Sequence, residues 1–367
     1  MKVLHVIKGI GRGGAERLLV SNIRRHAAKF SFEVVYFLPH KDHLRADLER
    51  LGCRVTVLPA TGFLGMLLRL PQLIRLLRDH RIDLMHAHLP MSGILAALAS
   101  RLTGIPVVYS EHNLFSRYHP LTRWLSAITC RQRAMTIAVS QAVAGQLPKG
   151  IPSCVIENGV DVDEFDPKRY DGGQIRQQLG LPSRKTIVGC VAIFTRQKRL
   201  ERWLEICRRA HRSDPDLYFV LIGDGPLRPE LEAAGKDLFD AGVLRFPGRV
   251  ENPEQWLACM DVFLMSSDYE GLPVALLEAM SLELPVVVTR VGGNASVIVQ
   301  DQNGFFYEPE RLEEAVERVM SLVRDPGLRH RIGQHARQTI CDGFSVSKSA
   351  ARIEEVYDHV FTKVFSS

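Results

Sequence analysis

The sequence contains no apolar run long enough to cross a bilayer. Its uninterrupted apolar stretches are only several residues long, whereas a membrane-spanning helix needs about 20 residues. The N-terminus has no signal-peptide pattern, and the segment from Met1 to Ile7 is interpreted as a first buried strand. We therefore expect neither an integral membrane protein nor a secreted one.

Paired cysteine motifs and a dinucleotide-binding fingerprint are also missing. The seven cysteines show no C-x-x-C spacing, which argues against a disulfide framework and a zinc site and favours a reducing cytoplasm. Gly9, Gly11, Gly13 and Gly14 do not fit G-x-G-x-x-G, and no such motif opens the second half, so a dehydrogenase is disfavoured. Neither glycine (28) nor proline (19) is abundant enough to indicate a disordered chain.

Length and charge indicate two dissimilar halves. The 367 residues exceed the roughly 250–300 at which a single core stops growing, so two domains are expected. The net charge is +6, but residues 1–160 carry +12 and the remainder −6. This asymmetry predicts an anionic partner for the first half: a phospholipid, a lipid-linked phosphate or a nucleic acid, the last without a recognition motif. An uneven but solvated surface is the alternative.

Both halves alternate short β-branched runs with segments of helical length, which is typical of βαβ units around a parallel sheet. The predicted strands of the first half are Val3–Ile7, Glu33–Leu38, Arg54–Leu58, Leu84–His86, Val107–Tyr109 and Thr136–Val139. Those of the second half are Thr186–Phe194, Leu217–Ile222, Val243–Phe246, Val262–Met265 and Val286–Val288. The fold class is therefore α/β, with two Rossmann-like domains.

Turn-rich segments indicate where the domains divide. Asn158 to Asp161 and the Asp171-Gly172-Gly173 break place a hinge near 158–175. We predict an N-terminal domain over 1–165 and a C-terminal domain over 166–345. After Val346 the chain is predicted to be helical to residue 367, and this tail could cross back onto the first domain.

The most specific motif is the string Ser266-Ser267-Asp268-Tyr269-Glu270-Gly271-Leu272-Pro273, between a predicted strand and a helical run beginning at Val274. Proline suits a helix start, and the free N–H groups there form an anion site that Gly271 lets a ligand approach. Glu278 lies about six residues into the helix, roughly 9 Å along its axis, so one carboxylate can meet a sugar and the other a ribose. Taken alone, Glu278 would be an ordinary solvated glutamate.

This string resembles the Glu-x7-Glu motif of the retaining glycosyltransferases of family 4, which have the two-domain GT-B fold with domains facing across a cleft. Gly13, Gly14 and Glu16 resemble that family's N-terminal Gly-Gly-x-Glu loop, which approaches the donor diphosphate or the acceptor. His112 resembles the family's active-site histidine. By itself such a glycine-rich turn is equally well explained by tight packing.

Histidines follow two predicted strands of the first half. His86 and His88 end the fourth strand and His112 follows the fifth, so all lie at the carboxyl edge, where parallel sheets bind ligands. Strand-end histidines are often structural. The pair at i and i+2 could suggest a metal, but no third ligand is spaced convincingly, so no metal site is predicted.

The second half contains a segment that resembles the family's diphosphate loop, with two departures. Lys198 matches its lysine, but Ile193 stands five residues earlier, where the family usually has arginine. Arg196 or Arg199 could supply that charge from another backbone position, since fixed cations stabilise a leaving phosphate. Ser296 stands where the family's later Gly-Gly-x-x-Glu segment often has glutamate.

Two further segments complete the resemblance, which runs from about residue 1 to 340. Gly223 lies in a segment similar to the family's glycine turn, and Arg249 and Val250 lie in one similar to the strand end that contacts the nucleobase. The resemblance implies donor-binding residues in the second domain. These are Arg196, Arg199, Gly223, Arg249, Val250, Gly271, Leu272, Pro273, Val274 and Glu278, with Glu270, His112 and Lys198 as catalytic residues.

Two basic, apolar segments of the first half bear on the acceptor. Residues 63–78 carry arginines at 69, 75 and 78, and Arg117–Arg133 mixes Tyr118, Trp124 and Leu125 with four arginines. Such helices can lie at an anionic membrane interface, or they can simply pack on the first sheet.

The sequence thus predicts a retaining hexosyltransferase that uses a UDP- or GDP-sugar, needs no cofactor, and acts on a lipid-linked or glycan acceptor. By resemblance, bacterial surface polysaccharide synthesis is the expected setting, in the cytoplasm or at the inner face of the cytoplasmic membrane. The alternative is a catalytically weakened GT-B protein that binds sugar nucleotides or assists assembly, which Ile193 and Ser296 favour.

Overall fold

A computed structural model of the chain describes residues 1–26 and 28–365, with side chains to residue 363. It divides into two compact units. Unit 1 comprises residues 1–159 together with the segment that begins at Val346, and unit 2 comprises Val160–Ser345.

Unit 1 is built on a parallel sheet of seven strands in the described residues, in the order β3-β2-β1-β4-β5-β6-β7. The strands are β1 Lys2–Val6, β2 Ser31–Tyr36, β3 Arg54–Val57, β4 Leu84–His88, β5 Val107–Glu111, β6 Met135–Ala138 and β7 Ser153–Val155. The strand order reverses between β1 and β4, and ligands of such sheets bind at the carboxyl ends beside this reversal.

The helices of unit 1 cover the sheet and enclose two apolar clusters. They are α1 Gly14–His26, α2 Arg45–Arg50, α3 Gly62–Leu67, α4 Leu70–Asp79, α5 Pro90–Thr103, α6 Pro120–Thr129 and α7 Gln141–Ala144, with α16 Val346–Phe365 from the end of the chain.

Helix α16 lies against α1. The imidazole Nε2 of His26 is 2.8 Å from the carbonyl oxygen of Ala350. Lys29 forms ion pairs with Glu354 and, at 3.1 Å, with Asp358. Tyr357 is buried beside the strands. The helix was predicted over 346–367, and residues 366 and 367 lie outside the described part of the chain.

Unit 2 repeats the architecture with six parallel strands in the described residues, in the order β10-β9-β8-β11-β12-β13. The strands are β8 Thr186–Val191, β9 Leu217–Ile222, β10 Leu244–Gly248, β11 Val262–Met265, β12 Val286–Thr289 and β13 Phe305–Tyr307. The helices are α8 Gly172–Gln178, α9 Leu200–Ser213, α10 Arg228–Ala234, α11 Lys236–Asp240, α12 Pro253–Ala258, α13 Val274–Ser281, α14 Leu312–Arg324 and α15 Pro326–Gly343.

Sequence periodicity explains how these elements form. Helix α9 buries Leu200, Trp203, Leu204 and Cys207, which recur at the three- and four-residue spacing of one helical face. Strand β11 (Val262–Met265) is buried on both faces, as expected for a central parallel strand between helical layers. The reversal in unit 2 lies between β8 and β11.

The boundary between the units lies six residues before the predicted one at residue 165. The amide of Val160 donates to the carbonyl of Phe344 at 2.9 Å. The carbonyl of Phe165 accepts hydrogen bonds from Ser281 Oγ at 2.9 Å and Arg337 at 3.0 Å. These bonds attach residues 160–165 to unit 2.

The structure also adds elements that the sequence did not predict. Strands β7 (Ser153–Val155) and β13 (Phe305–Tyr307) are each three residues long, too short for an alternating pattern to stand out. The predicted strand Thr186–Phe194 ends at Val191, and residues 196–198 form a turn of 3₁₀ helix.

Candidate functional site

Unit 2 has a candidate site at the reversal of its sheet. Because β8 and β11 are neighbours, the loops that follow them bring Lys198 beside Glu270. The Lys198 Nζ atom lies 2.5 Å from Glu270 Oε1. The two residues predicted as catalytic in this unit therefore form an ion pair.

Glu270 is held by polar side chains. It is only 4% exposed, and it also accepts hydrogen bonds from Ser267 Oγ at 2.6 Å and Gln197 Nε2 at 3.2 Å. Gln197 is fixed in turn by the carbonyl of Tyr269 at 2.9 Å. A buried carboxylate needs such partners, since an unpaired buried charge is costly. Sequence reasoning missed Ser267 and Gln197, although both lie beside predicted residues.

The strand-to-helix turn after Glu270 leads into α13. Gly271, Leu272 and Pro273 are buried, and Pro273 occupies the N-cap of α13, one position before the first helical turn in which it was expected. The amide of Leu276 donates to the carbonyl of Pro273 at 3.2 Å. The amides of Val274 and Ala275 precede it and have no intrahelical acceptor, so this helix start can bind an anion.

The glycine pair at 292–293 packs directly on this turn. Gly292 has a positive φ of 49°, and a Cβ atom there would overlap the carbonyl oxygen of Glu270. A Cβ at Gly293 would overlap the carbonyl oxygen of Gly271. Although Ser296 departs from the family pattern, Gly292 and Gly293 still pack closely against the backbone of Glu270 and Gly271.

Glu278 is buried, at 5% exposure, on α13. This rules out the ordinary solvated glutamate that the residue alone suggested. Burial of a charged group is uncommon without a specific partner. The ribose contact predicted for Glu278 remains a prediction.

The two candidate replacement cations differ. Arg199 has a left-handed backbone with φ of 48° and pairs with Glu201 at 3.0 Å and Asp268 at 3.4 Å. Arg196 is exposed and forms no ion pair within the described part of the chain. Of the two, only Arg196 can therefore reach a phosphate without first breaking an ion pair.

Ile193 and the glycine turn lie together near the end of β8. The side chain of Ile193 is exposed, with 51% of its surface accessible. A Cβ at Gly223, whose φ is 130°, would overlap the carbonyl oxygen of Ala192, so glycine is required where this turn meets the loop. Arg249 lies 3.9 Å from Asp224, and Val250 is half-buried.

In unit 1, the loop of Gly13, Gly14 and Glu16 lies at the start of α1 (Gly14–His26). The Glu16 carboxylate folds over Gly13, where a Cβ atom would touch it. Burial raises the pKa of Glu16. Both the packing and the ligand interpretations of this loop fit the geometry.

His112 directly follows β5 and is half-buried. Burial lowers its pKa from 6.5 to about 4, so the imidazole is neutral near pH 7. Its neighbour Glu111 is buried and accepts hydrogen bonds from Tyr109 Oη at 3.2 Å and from Tyr118. Burial also raises the pKa of Glu111. These bonds fix the end of the strand from which His112 projects.

The structure supplies a third histidine beside His86 and His88. His5 on β1 lies next to them because β1 pairs with β4, and the three rings have ligand atoms within 4.8 Å of one another. Sequence reasoning missed His5, since its neighbours depend on strand order.

The geometry of the three rings favours hydrogen bonding over metal binding. His86 uses both nitrogens, with Tyr357 Oη at 2.5 Å and Ser110 Oγ at 2.8 Å. His5 Nδ1 and His88 Nε2 are bonded to each other at 3.0 Å. His86 and His88 are stacked, with ring centroids 4.2 Å apart, which does not direct their lone pairs to one point. The donor set therefore does not fit a tetrahedral ion.

Both predicted basic segments expose apolar side chains. In 63–78, helices α3 and α4 bury Met66, Leu73, Leu76 and Leu77 in a core cluster of unit 1, while Leu64 and Leu68 are each 72% exposed. On α6, Leu121, Trp124 and Ile128 are each more than half exposed on one face. Arg133 is not part of this surface, because it is buried against the Tyr109 ring and donates to Ser126 Oγ at 3.0 Å. Among the described residues, no helix combines the length and apolarity needed to span a membrane.

Known structures share this fold along nearly the whole chain. Anabaena HepE, solved in complex with UDP and glucose, superposes with a TM-score of 0.87 over 98% of this chain and 100% of that one, at 21% identity. Two Rossmann-like units of this kind define the GT-B glycosyltransferase fold.

Family comparisons agree along both units. The family described as Glycosyltransferase Family 4 matches residues 12–164, and Glycosyl transferases group 1 matches residues 172–339. The chain belongs to the family 4 glycosyltransferases, as its motifs predicted, and is an enzyme of that class.

Two curated relatives cover most of the chain. A UDP-Gal:alpha-D-GlcNAc-diphosphoundecaprenol alpha-1,3-galactosyltransferase from Escherichia coli is 27% identical over 300 residues, covering 78% of this chain and 77% of its own. The putative glycosyltransferase EpsF of Bacillus subtilis is 28% identical over 313 residues, with 78% and 79% covered.

Proposed function

We propose that this chain transfers a hexose from a nucleotide diphosphate sugar to a lipid-linked or glycan acceptor, with retention of anomeric configuration. The observation that carries the proposal is the ion pair between half-buried Lys198 and buried Glu270 at the reversal of the unit 2 sheet. It places one cation and one carboxylate beside a helix start with free amides. This arrangement suits a ligand that combines a diphosphate with sugar hydroxyls.

Lys198 and Arg196 are assigned to the diphosphate. Breaking the bond between the anomeric carbon and the β-phosphate oxygen leaves negative charge on that oxygen, which fixed cations and amide dipoles stabilise. Lys198 is already oriented by Glu270, and Arg196 is free of ion pairs within the described residues. These cations supply the stabilisation that a metal ion would otherwise give, so the proposal requires no cofactor.

The remaining residues are assigned by position. Glu270 holds sugar hydroxyls, Glu278 the ribose, the amides near Gly271–Val274 a phosphate, and Gly223, Arg249 and Val250 the nucleotide. In unit 1, His112 and the Gly13–Glu16 loop serve the sugar or the acceptor.

Retention follows from departure and attack on one face. The bond from the anomeric carbon to the leaving phosphate oxygen breaks, and the acceptor oxygen forms its bond on the same face. The acceptor hydroxyl proton passes to a leaving phosphate oxygen. Products are the glycosylated acceptor and the nucleoside diphosphate, so charge and protons balance without an external base.

Relatives support the donor and acceptor classes. HepE was solved with UDP and glucose, and the E. coli relative is named for a UDP-galactose donor and a diphosphoundecaprenol acceptor. We therefore propose UDP ahead of GDP as the donor nucleotide, and surface polysaccharide synthesis as the setting.

We also propose that the α6 face of Leu121, Trp124 and Ile128 rests on an anionic membrane surface. These side chains are 55%, 60% and 54% exposed, and Arg123 and Arg131 nearby are exposed as well. Apolar residues beside arginines match a layer of anionic headgroups. The localisation we propose is accordingly the cytoplasm, peripherally on the membrane that carries the acceptor.

The test is a panel of UDP-, GDP- and ADP-sugars with a membrane-lipid extract as acceptor, followed by nucleotide release and product anomer analysis. Glu270→Gln keeps the shape of the side chain but removes its charge, and Glu283→Gln in the same unit is the matched control. The proposal is supported if nucleotide release depends on the donor and is abolished by Glu270→Gln. Retention is supported if an α-linked donor gives an α-linked product.

Two outcomes contradict parts of it. An inverted product rules out retention while leaving transfer intact. Nucleotide binding without consumption of any donor favours the non-catalytic alternative, for which the exposed Ile193 at a usually cationic position is the specific observation.

A further inference from the structure

Unit 1 contains a small cavity of about 30 Å³ beside the carboxyl ends of its central strands. Its walls come from α1, the ends of β4 and β5, β6, the segment 156–159 and α16. Much of this lining is apolar, with Leu18, Ile137 and Ile156 among the contributors. The volume is enough to hold a water molecule.

Three side chains that line this cavity have a buried polar atom with no hydrogen-bond partner among the described residues. These atoms are Asn22 Oδ1, His88 Nδ1 and His112 Nε2. His88 is only 5% exposed. Buried polar atoms are rarely left unpaired, and each such atom costs free energy unless a ligand or water satisfies it.

The rings of His88 and His112 lie side by side, with centroids 5.8 Å apart, but no hydrogen bond joins them. One water can bridge polar atoms that do not bond each other directly, and a buried water typically makes about three hydrogen bonds. Asn22 lines the same cavity and has the third unpartnered atom.

We propose that one bound water in this cavity joins His88, His112 and Asn22, and that His88 is a positioning residue that sets the tautomer of His112. The water has two O–H donors, and Asn22 Oδ1 can only accept, so it takes one. A single donor then remains for two ring nitrogens. One of His88 Nδ1 and His112 Nε2 must accept that donor, and the other must carry a proton and donate to the water.

The consequence is that the two histidines have the same tautomer, because the water meets Nδ1 of His88 but Nε2 of His112. Both rings carry their proton on Nδ1, or both carry it on Nε2. Burial lowers the pKa of both rings, so each is neutral and carries one N–H near pH 7. The other nitrogen of His88 is bonded to His5 at 3.0 Å. A chain of bonds therefore runs from His5 through His88 and the water to His112. Its use in transfer rests on the proposed function, in which His112 meets the sugar or the acceptor.

The test is nitrogen NMR of the full-length protein labelled with ¹⁵N-histidine, recorded without donor or acceptor. His112→Gln and His88→Gln identify the two sets of ring signals. In the wild type we expect a single tautomer for each ring. Of the two nitrogens that face the water, His88 Nδ1 and His112 Nε2, only one should be protonated. His88→Phe removes both nitrogens and is expected to shift His112 to a mixture of tautomers or to the other tautomer.

Two matched variants separate positioning from structure. Ser349 also lines the cavity, but its Oγ already donates to the carbonyl of Val346 at 3.1 Å. In Ser349→Ala, His112 should therefore keep its wild-type tautomer. In His88→Gln the amide can still bond the water, and the single tautomer of His112 should return. A crystal structure at high resolution should show one water within hydrogen-bond distance of the three atoms.

The proposal is overturned if His112 has the same tautomer in wild type and His88→Phe, or if the cavity is dry or holds a metal ion. Because the NMR uses no substrate, these results do not depend on whether the chain transfers a hexose. If His88→Phe shifts the tautomer but leaves kcat unchanged in an active enzyme, His88 is not a positioning residue for the reaction.

Discussion

The two units place polar side chains at equivalent reversals of strand order, yet the chemistry differs. In unit 1 the buried groups around β1 and β4 are mainly imidazoles whose pKa values are lowered by burial, and they are therefore neutral. In unit 2 the corresponding position holds the charged pair of Lys198 and Glu270. The same architecture thus has neutral imidazoles at one reversal and a charged ion pair at the other.

This difference fits the division of work in the proposed reaction. A diphosphate brings negative charge and is best met by fixed cations, whereas an acceptor hydroxyl is neutral and needs hydrogen-bond donors and acceptors. The excess positive charge of residues 1–160 does not contradict this, because the histidines are uncharged and exposed arginines such as Arg123 and Arg131 lie on α6 and just beyond it. Surface charge and site charge are separate properties of unit 1.

The largest effect on kcat is expected from removing the charge of Lys198 in unit 2. Lys198→Met keeps the aliphatic stem but loses the charge that stabilises the leaving phosphate, so kcat should fall by roughly 10²–10³. Steady-state kinetics with the active donor measures this, and calorimetry with UDP reports nucleotide binding. Lys236→Met, an exposed lysine of α11 paired with Asp240, is the control and should be unaffected. A fall of only a few-fold would show that Lys198 has no special role at the diphosphate.

The neutral histidines predict that acid destabilises unit 1 before unit 2. Between pH 4 and 6.5 the unfolded chain protonates His112 while the folded chain does not, so the free energy of unfolding rises with pH in this window and is lost as pH falls. Each such histidine adds up to about 1.4 kcal/mol per pH unit to the slope. His5, His86 and His88 act in the same direction.

Hydrogen exchange at pH 7, 6 and 5 measures this prediction unit by unit. Amides of β1 and β4 should lose protection on acidification before those of β8 and β11. His5→Gln should reduce the slope, whereas His359→Gln, on the exposed side of α16, should not. Simultaneous loss of protection in both units would contradict the contrast drawn between them.

A smaller effect is expected at the α6 surface. Trp124→Ala removes the largest exposed apolar side chain of this face and should weaken binding to phosphatidylglycerol vesicles about tenfold, equivalent to about 1.4 kcal/mol. Vesicle sedimentation measures it, with phosphatidylcholine vesicles as a low-affinity reference. Phe239→Ala, an exposed aromatic of unit 2, is the control. Equal binding by both variants would remove α6 as the membrane contact.

Sequence patterns predicted the architecture well because its signals are local. The alternation of β-branched runs and helical segments indicated parallel sheets, and the string ending at Pro273 indicated a strand, a turn and a helix start. Strands β7 and β13 were not predicted, because a strand of three residues is too short to show an alternating pattern. The division at Gly159 rather than 165 depends on bonds from residues near 340, which no local pattern shows.

The candidate site was predictable residue by residue but not as a set of contacts. Lys198 and Glu270 are 72 residues apart, and only the adjacency of β8 and β11 brings them together. His5 stood inside an apolar strand with nothing to mark it, because its partners follow from the pairing of β1 with β4. Glu278 was identified by motif alone, and its burial became evident only once α13 was packed in the fold.

The smallest effect is expected from restoring the family's usual cation in unit 2. Ile193→Arg adds a positive charge near Gly223 and the end of β8, at a position already half exposed, so no core packing is lost. Solvent screening limits such a surface charge to at most about 1 kcal/mol, or roughly fivefold in affinity for UDP. Calorimetry at low and high salt should show tighter UDP binding that fades as salt rises. Combining this substitution with Arg196→Ala separates two cases. If Ile193→Arg improves UDP affinity more in the Arg196→Ala variant than in the wild type, both cations serve one phosphate site. If the improvement is the same in both backgrounds, Arg196 acts elsewhere.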